Sequence, residues 1–175
     1  MNTASSCNGS GGKQAAGSMD QSVFLDACVF YDCLEHPRCK QILDRAHNLG
    51  FKICTSITVL GETLITMLRR DDADDHIAAF VSLLKEWDML FVVPSDGVRI
   101  ICYELGEDYT DTRMLGQATD RTHLAYAMAY GFKHFISTDP VIRTYSLPRK
   151  VLDMGFEKPE VYNLIEFRNY VLNRR

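Results

Sequence analysis

The chain has 175 residues, 46% of them hydrophobic, which fits one α/β domain with a full core. Its net charge of −4 argues against a broad phosphate-coating surface, although clustered acids lower the net charge while local arginines can still hold a backbone. No apolar stretch reaches the roughly 18–20 residues that span a bilayer, and no charged-then-apolar signal peptide opens the chain, so the sequence reads as soluble and cytoplasmic.

Residues 1–18 are small, polar and rich in Gly and Ser, without a hydrophobic pattern, and are expected to be a disordered leader or tag remnant. The domain is expected over 19–175. Residues 23–25 predict a short buried strand that ends at Asp26. Residues 35–48 predict a helix with Gly50 as its stop. A second strand is expected over 51–55, followed by a helix to about Arg70 with Ser56 as its N-cap. The acids Asp71, Asp72, Asp74 and Asp75 suit the positive end of a helix over 77–87. A third strand, 89–93, stops at Pro94, and Ser95 caps a helix to about Glu107. Residues 108–116 read as a polar loop. Thr119 is expected to cap a helix over 120–130 that Gly131 closes. A fourth strand, 134–137, leads to Asp139. A helix near 141–154, broken at Pro148, a fifth strand over 161–164 and a last helix complete the chain. Alternation of strand and helix implies a mostly parallel sheet with helices on both faces, an α/β fold in three layers.

In such a sheet, ligands bind beyond the carboxyl ends of the strands. Asp26 and Asp139 follow two almost wholly apolar strands. Glu62 is the only acid in the apolar segment ITVLGETLITML, and Asp120 opens the helix DRTHLAYAMAYG. Converging carboxylates repel and raise one another's pKa. A hard cation such as Mg²⁺ or Mn²⁺ relieves this while leaving sites for phosphate. Singly, each acid has a plainer role, as a turn, helix-start or solvated residue; together they form a metal-site pattern. Ser56 and Ser137 are placed to position an acid or a metal-bound water, or simply to cap and turn. His123, Arg121 and Arg143 are candidates for substrate contact, with a partly buried helix histidine and solvated arginines as the plainer readings. Phe30, Tyr31 and Tyr126 suit the core better than base stacking. Cys7, Cys28, Cys33, Cys39, Cys54 and Cys102 contain no Cys-x-x-Cys pair and read as free thiols.

The segments VFLDACVF, TSITVLGETL, TDRTHLAYAMAYG and HFISTDP resemble the PIN-domain nuclease family across residues 22–172. The resemblance covers Asp26, Ser56 with Glu62, Asp120, and Ser137 with Asp139. It implies a five-stranded parallel sheet and Mg²⁺- or Mn²⁺-dependent cleavage of RNA phosphodiesters by an endoribonuclease, with catalytic and metal-binding roles for Asp26, Glu62, Asp120 and Asp139. It also raises an antitoxin or RNA-processing protein as a partner, and a homodimer. Many relatives carry a further acid where this chain has Ile142, which weakens the hold on a second metal. One alternative keeps the fold as a catalytically weak or inactive RNA-binding scaffold. A phosphatase of the haloacid dehalogenase type is disfavoured, because Cys28 stands where its second Asp is required.

Overall fold

The computed structural model describes residues 21–107 and 118–174. The leader expected over 1–18 and the loop expected over 108–116 lie outside the described residues. Strand β1 (Ser22–Leu25) is buried along its whole length. Short apolar strands of this kind suit the middle of a parallel sheet, where both faces are covered. Two helices, α1 (Ala27–Glu35) and α2 (Pro37–Asn48), lead to β2 (Lys52–Ser56). Helices α3 (Ile57–Met67) and α4 (Ala73–Glu86) lead to β3 (Leu90–Val92). Helices α5 (Asp96–Gly106) and α6 (Ala118–Ala129) precede β4 (His134–Ile136). Two short helices, α7 (Pro140–Thr144) and α8 (Arg149–Asp153), lead to β5 (Glu160–Tyr162). Helix α9 (Leu164–Tyr170) and a 3₁₀ turn (Leu172–Arg174) follow.

The five strands pair in the order β3-β2-β1-β4-β5, all parallel. The chain therefore builds outward from β1 to β3, returns across the sheet to β4, and goes on to β5. The order reverses between β1 and β4, where crossovers of one hand carry the helices to opposite faces. Contacts follow that division: α1 packs on α2, α3 and α4, whereas α5 packs along α6 and touches α8. A crevice opens at such a switch point, beyond the carboxyl ends of the two diverging strands.

The core is aromatic around the same two strands. Phe24 pairs in register with Phe135, and its ring lies 5.2 Å from that ring and 5.3 Å from Phe132. Burying a side chain of this size contributes about 1.5–3 kcal/mol. On the other face, Phe30 meets Phe80 edge-on at 5.0 Å.

Several elements differ from the sequence expectation. The helix expected over 35–48 is α2, starting two residues later at Pro37, and α1 over 27–35 is a further helix that was not expected; the two are separated at His36. Proline disfavours helical geometry in the residue before it and is well placed as the first residue of a helix; Pro37 does both. Thr119 is no cap, because α6 already begins at Ala118. The helix expected near 141–154 is broken before Pro148, as expected, into α7 and α8. The two glycine stops hold: Gly50 and Gly131 take φ of 84° and 68°, which a side chain would strain.

Candidate active site

Asp26 occupies the switch point itself. Its backbone N–H donates to the Ile136 carbonyl at 3.0 Å, which fastens the end of β1 to the end of β4. Its carboxylate is surrounded by donors. Oδ1 accepts from the Ala27 N–H at 2.8 Å, capping α1, and lies 2.8 Å from His123 Nδ1. Oδ2 accepts from the Ser137 hydroxyl at 2.6 Å and more weakly from the Cys28 thiol at 3.6 Å. Burial alone would raise the pKa of this residue, which is 5% exposed. The bond and charge of His123, with the Ser137 and Ala27 bonds, outweigh burial and hold Asp26 below the ordinary carboxylate value.

The loop after β4 contributes the second acid. The Ser137 hydroxyl accepts from the Asp139 N–H at 3.1 Å while donating to Asp26. Asp139 Oδ1 in turn accepts from the Val141 N–H at 2.6 Å and caps α7. One serine thus bonds the Asp26 carboxylate and the Asp139 backbone, past the ends of two neighbouring strands.

Glu62 and Asp120 come from α3 and α6, which pack against one another. Among the described residues, the buried Glu62 Oε2 and Asp120 Oδ2 have no hydrogen-bond partner, although His123 Nε2 stands 3.2 Å from Glu62 Oε2. Asp120 is pushed up to about 6, first by burial and then by the charges of Asp139, Asp26 and Glu62, against an opposing pull from His123. All four predicted acids therefore lie within electrostatic reach of one point. Unpaired buried carboxylate oxygens are costly, and repelling ones more so. A divalent cation is the group whose charge and oxygen preference fit these donors. Among the described residues, no three of His, Cys, Asp and Glu close into a tight metal cage. The donor set suits an ion that keeps several of its own waters, as Mg²⁺ does.

The other predicted residues fall differently. Ser56 is fully buried, and its hydroxyl accepts from the Val59 N–H at 3.2 Å; it caps α3. Arg143 Nη2 donates to both carboxylate oxygens of Glu166, at 2.6 and 2.8 Å. Glu166 also closes the capping box of α9 with Asn163. His123 is 1% exposed and lies between two acids. Arg121 is half-buried on α6 beside Gly106. Phe30 and Tyr126 are core residues, and the half-buried Tyr31 donates its hydroxyl to the Thr63 carbonyl at 2.8 Å. Ile142 is fully buried within α7, so an acid there would be taken out of water.

Sequence reasoning missed Cys28 as a neighbour of the site. Its thiol donates to Asp26 and accepts from the Thr138 N–H at 3.4 Å. Burial and the Asp26 charge push its pKa up to about 11, so it remains a thiol. The available signal was its place in the first turn of a helix that Asp26 caps.

The strand order, with Asp26 at the switch point and the charges of Asp139, Asp26 and Glu62 acting on Asp120, defines the class as a parallel α/β domain with an acidic mouth. Within that class, the PIN domain pattern matches residues 23–146, and the chain belongs to the PIN-domain family, whose members are generally nucleases. Among solved structures, the chain is similar to the crystal structure of VapBC2 from Rickettsia felis bound to a DNA fragment from their promoter. The TM-score is 0.58 at 13% identity, over 81% of this chain and 98% of that one, a likeness of fold. No curated protein matches the chain.

Proposed function

We propose that the chain is a divalent-metal-dependent endoribonuclease that hydrolyses RNA phosphodiester bonds. The observation that carries this reading is the mutual approach of Asp26, Glu62, Asp120 and Asp139, with two buried carboxylate oxygens lacking a hydrogen-bond partner among the described residues and Asp120 pushed up to about 6. Asp26, Asp120 and Asp139 would hold Mg²⁺ or Mn²⁺, and Glu62 would hold it or orient a water. When bound, such an ion lowers the pKa of water and neutralises charge developing on phosphate. Ser137 keeps Asp26 and Asp139 in register with one another. Cys28 ties the loop after β4 to α1. Helices α3 and α6 bring Glu62 and Asp120 to the same mouth. RNA as the substrate follows the resemblance to PIN-domain ribonucleases. A small antitoxin protein as the partner is supported by the VapBC2 likeness, and a homodimer is the further expectation.

Incubating RNA with the chain and Mg²⁺ or Mn²⁺, against EDTA, tests the reading. Asp26→Asn and Asp120→Asn are each expected to reduce cleavage by about 10²–10³-fold, the worth of several kcal/mol of metal assistance. Cleavage that survives both substitutions, or that EDTA leaves intact, would remove the metal site. RNA binding without turnover would favour a non-catalytic scaffold.

A further inference from the structure

Asp26 and Glu62 stand on separate elements, the end of β1 and the second turn of α3, yet one side chain touches both. His123, one turn along α6 from Asp120, is 1% exposed. Its Nδ1 lies 2.8 Å from Asp26 Oδ1, and its Nε2 lies 3.2 Å from Glu62 Oε2. The first contact is a hydrogen bond; the second is at ion-pair distance but off the hydrogen-bond direction, so both atoms of that pair stay unsatisfied. We propose that His123 is a positioning residue, whose ring aims the Asp26 and Glu62 carboxylates at the metal position before any ion binds.

This inference rests on the metal reading of the site. Asp26 Oδ1 takes donors from Ala27 and His123, and Oδ2 takes one from Ser137. Rotating the carboxylate breaks bonds on both oxygens, so its orientation is fixed. The Ala27 bond is local to α1, and Ser137 acts on the other oxygen. His123 is therefore the tie between Asp26 and the helix layer that carries Asp120. The imidazole is a rigid ring, so fixing one nitrogen on Asp26 fixes where the other meets Glu62. Glu62 has the longer side chain, which is 38% exposed. Without the ring, Glu62 regains rotamer freedom that metal binding must then remove. Outer-layer partners that orient metal ligands are worth about 10–100-fold in affinity.

Mn²⁺ titration calorimetry on the full chain separates this role from packing. An asparagine amide nitrogen can stand near the place of Nδ1, and a glutamine amide nitrogen near that of Nε2. His123→Leu is expected to weaken Mn²⁺ binding by about 10–100-fold. His123→Asn should restore most of that loss by donating to Asp26, and His123→Gln should restore less. In cleavage assays the loss should appear as a rightward shift of the Mn²⁺ saturation curve, with much of kcat returning at high Mn²⁺. Circular dichroism in EDTA checks each fold. Native affinity in His123→Leu overturns the proposal, as does a loss that Asn and Gln share equally. Should the Leu variant not fold, the Asn and Gln comparison decides alone. A native chain that binds no Mn²⁺ refutes the metal reading itself, whereas equal binding by native and His123→Leu chains refutes only the positioning role.

Discussion

Replacing Asp120 with asparagine should stabilise the metal-free protein at neutral pH while removing its response to metal. In the folded chain, burial and three neighbouring carboxylates raise Asp120 from 3.8 to about 6. Roughly two pKa units correspond to about 3 kcal/mol at 1.36 kcal/mol per unit. The carboxyl is only half-buried, and solvent screening reduces this to about 1–2 kcal/mol. The sign follows from linkage: a carboxyl with a raised folded-state pKa favours folding below about pH 4 and loses that contribution as pH rises through about 6. The amide of the variant carries no charge to be penalised. In EDTA at pH 7.5, Asp120→Asn should therefore melt higher than the native chain by about 2–8 °C, on a scale of 2–4 °C per kcal/mol for a chain this long. Near pH 4 the two should melt together. Adding Mg²⁺ or Mn²⁺ should raise the native chain, by mass action, and leave the variant nearly unmoved. Differential scanning calorimetry at the two pH values suffices. A variant equal to or less stable than native at pH 7.5 in EDTA, or a gain that persists unchanged at pH 4, would refute the reasoning.

Three further outcomes follow from the same geometry. Metal-dependent cleavage should decline as pH falls through about 6, where Asp120 takes up its proton, and more Mn²⁺ should move the midpoint lower; a pH–rate series at two metal concentrations measures this. Ser137→Ala removes a donor from Asp26 and an acceptor from the Asp139 N–H, at a cost of about 1–3 kcal/mol by urea denaturation. Because Asp26 lies below its ordinary value, its stabilising contribution is lost as pH falls through its folded-state pKa; with Ser137 gone that loss should begin at higher pH. Asn163→Ala should cost about 0.5–2 kcal/mol by opening the capping box of α9, and should loosen Glu166 from Arg143 without touching the four acids.

The acids were legible because of where apolar runs stop. Val23-Phe24-Leu25 and His134-Phe135-Ile136 are buried, and Asp26 follows the first directly while Asp139 lies three residues past the end of the second. Glu62 stood out as the one acid of an apolar helix. Less was legible where contacts cross long stretches of chain. Periodicity cannot say that β4 lies beside β1, because the return across the sheet is decided by packing. Nor can it pair Arg143 with Glu166, 23 residues on, so the arginine read as available. His123 looked like an ordinary helix histidine since its partners lie 97 residues away at Asp26 and on a different helix at Glu62. Helix α1 went unread because its apolar residues follow directly on the strand that ends at Asp26, whereas α2 was found within two residues of its start at Pro37.

The tripeptide Ser137-Thr138-Asp139 does three things in succession: a hydroxyl for Asp26, an amide for the Cys28 sulfur, and a carboxylate that starts α7. Its spacing is therefore rigid in a way the α3 and α6 sides are not. A single inserted residue there would detach Asp26 from Asp139 at one stroke, while insertions in the α4–β3 connection would leave the mouth intact. In this chain, a change of length is therefore expected to be borne at the sheet margins and not across these three positions.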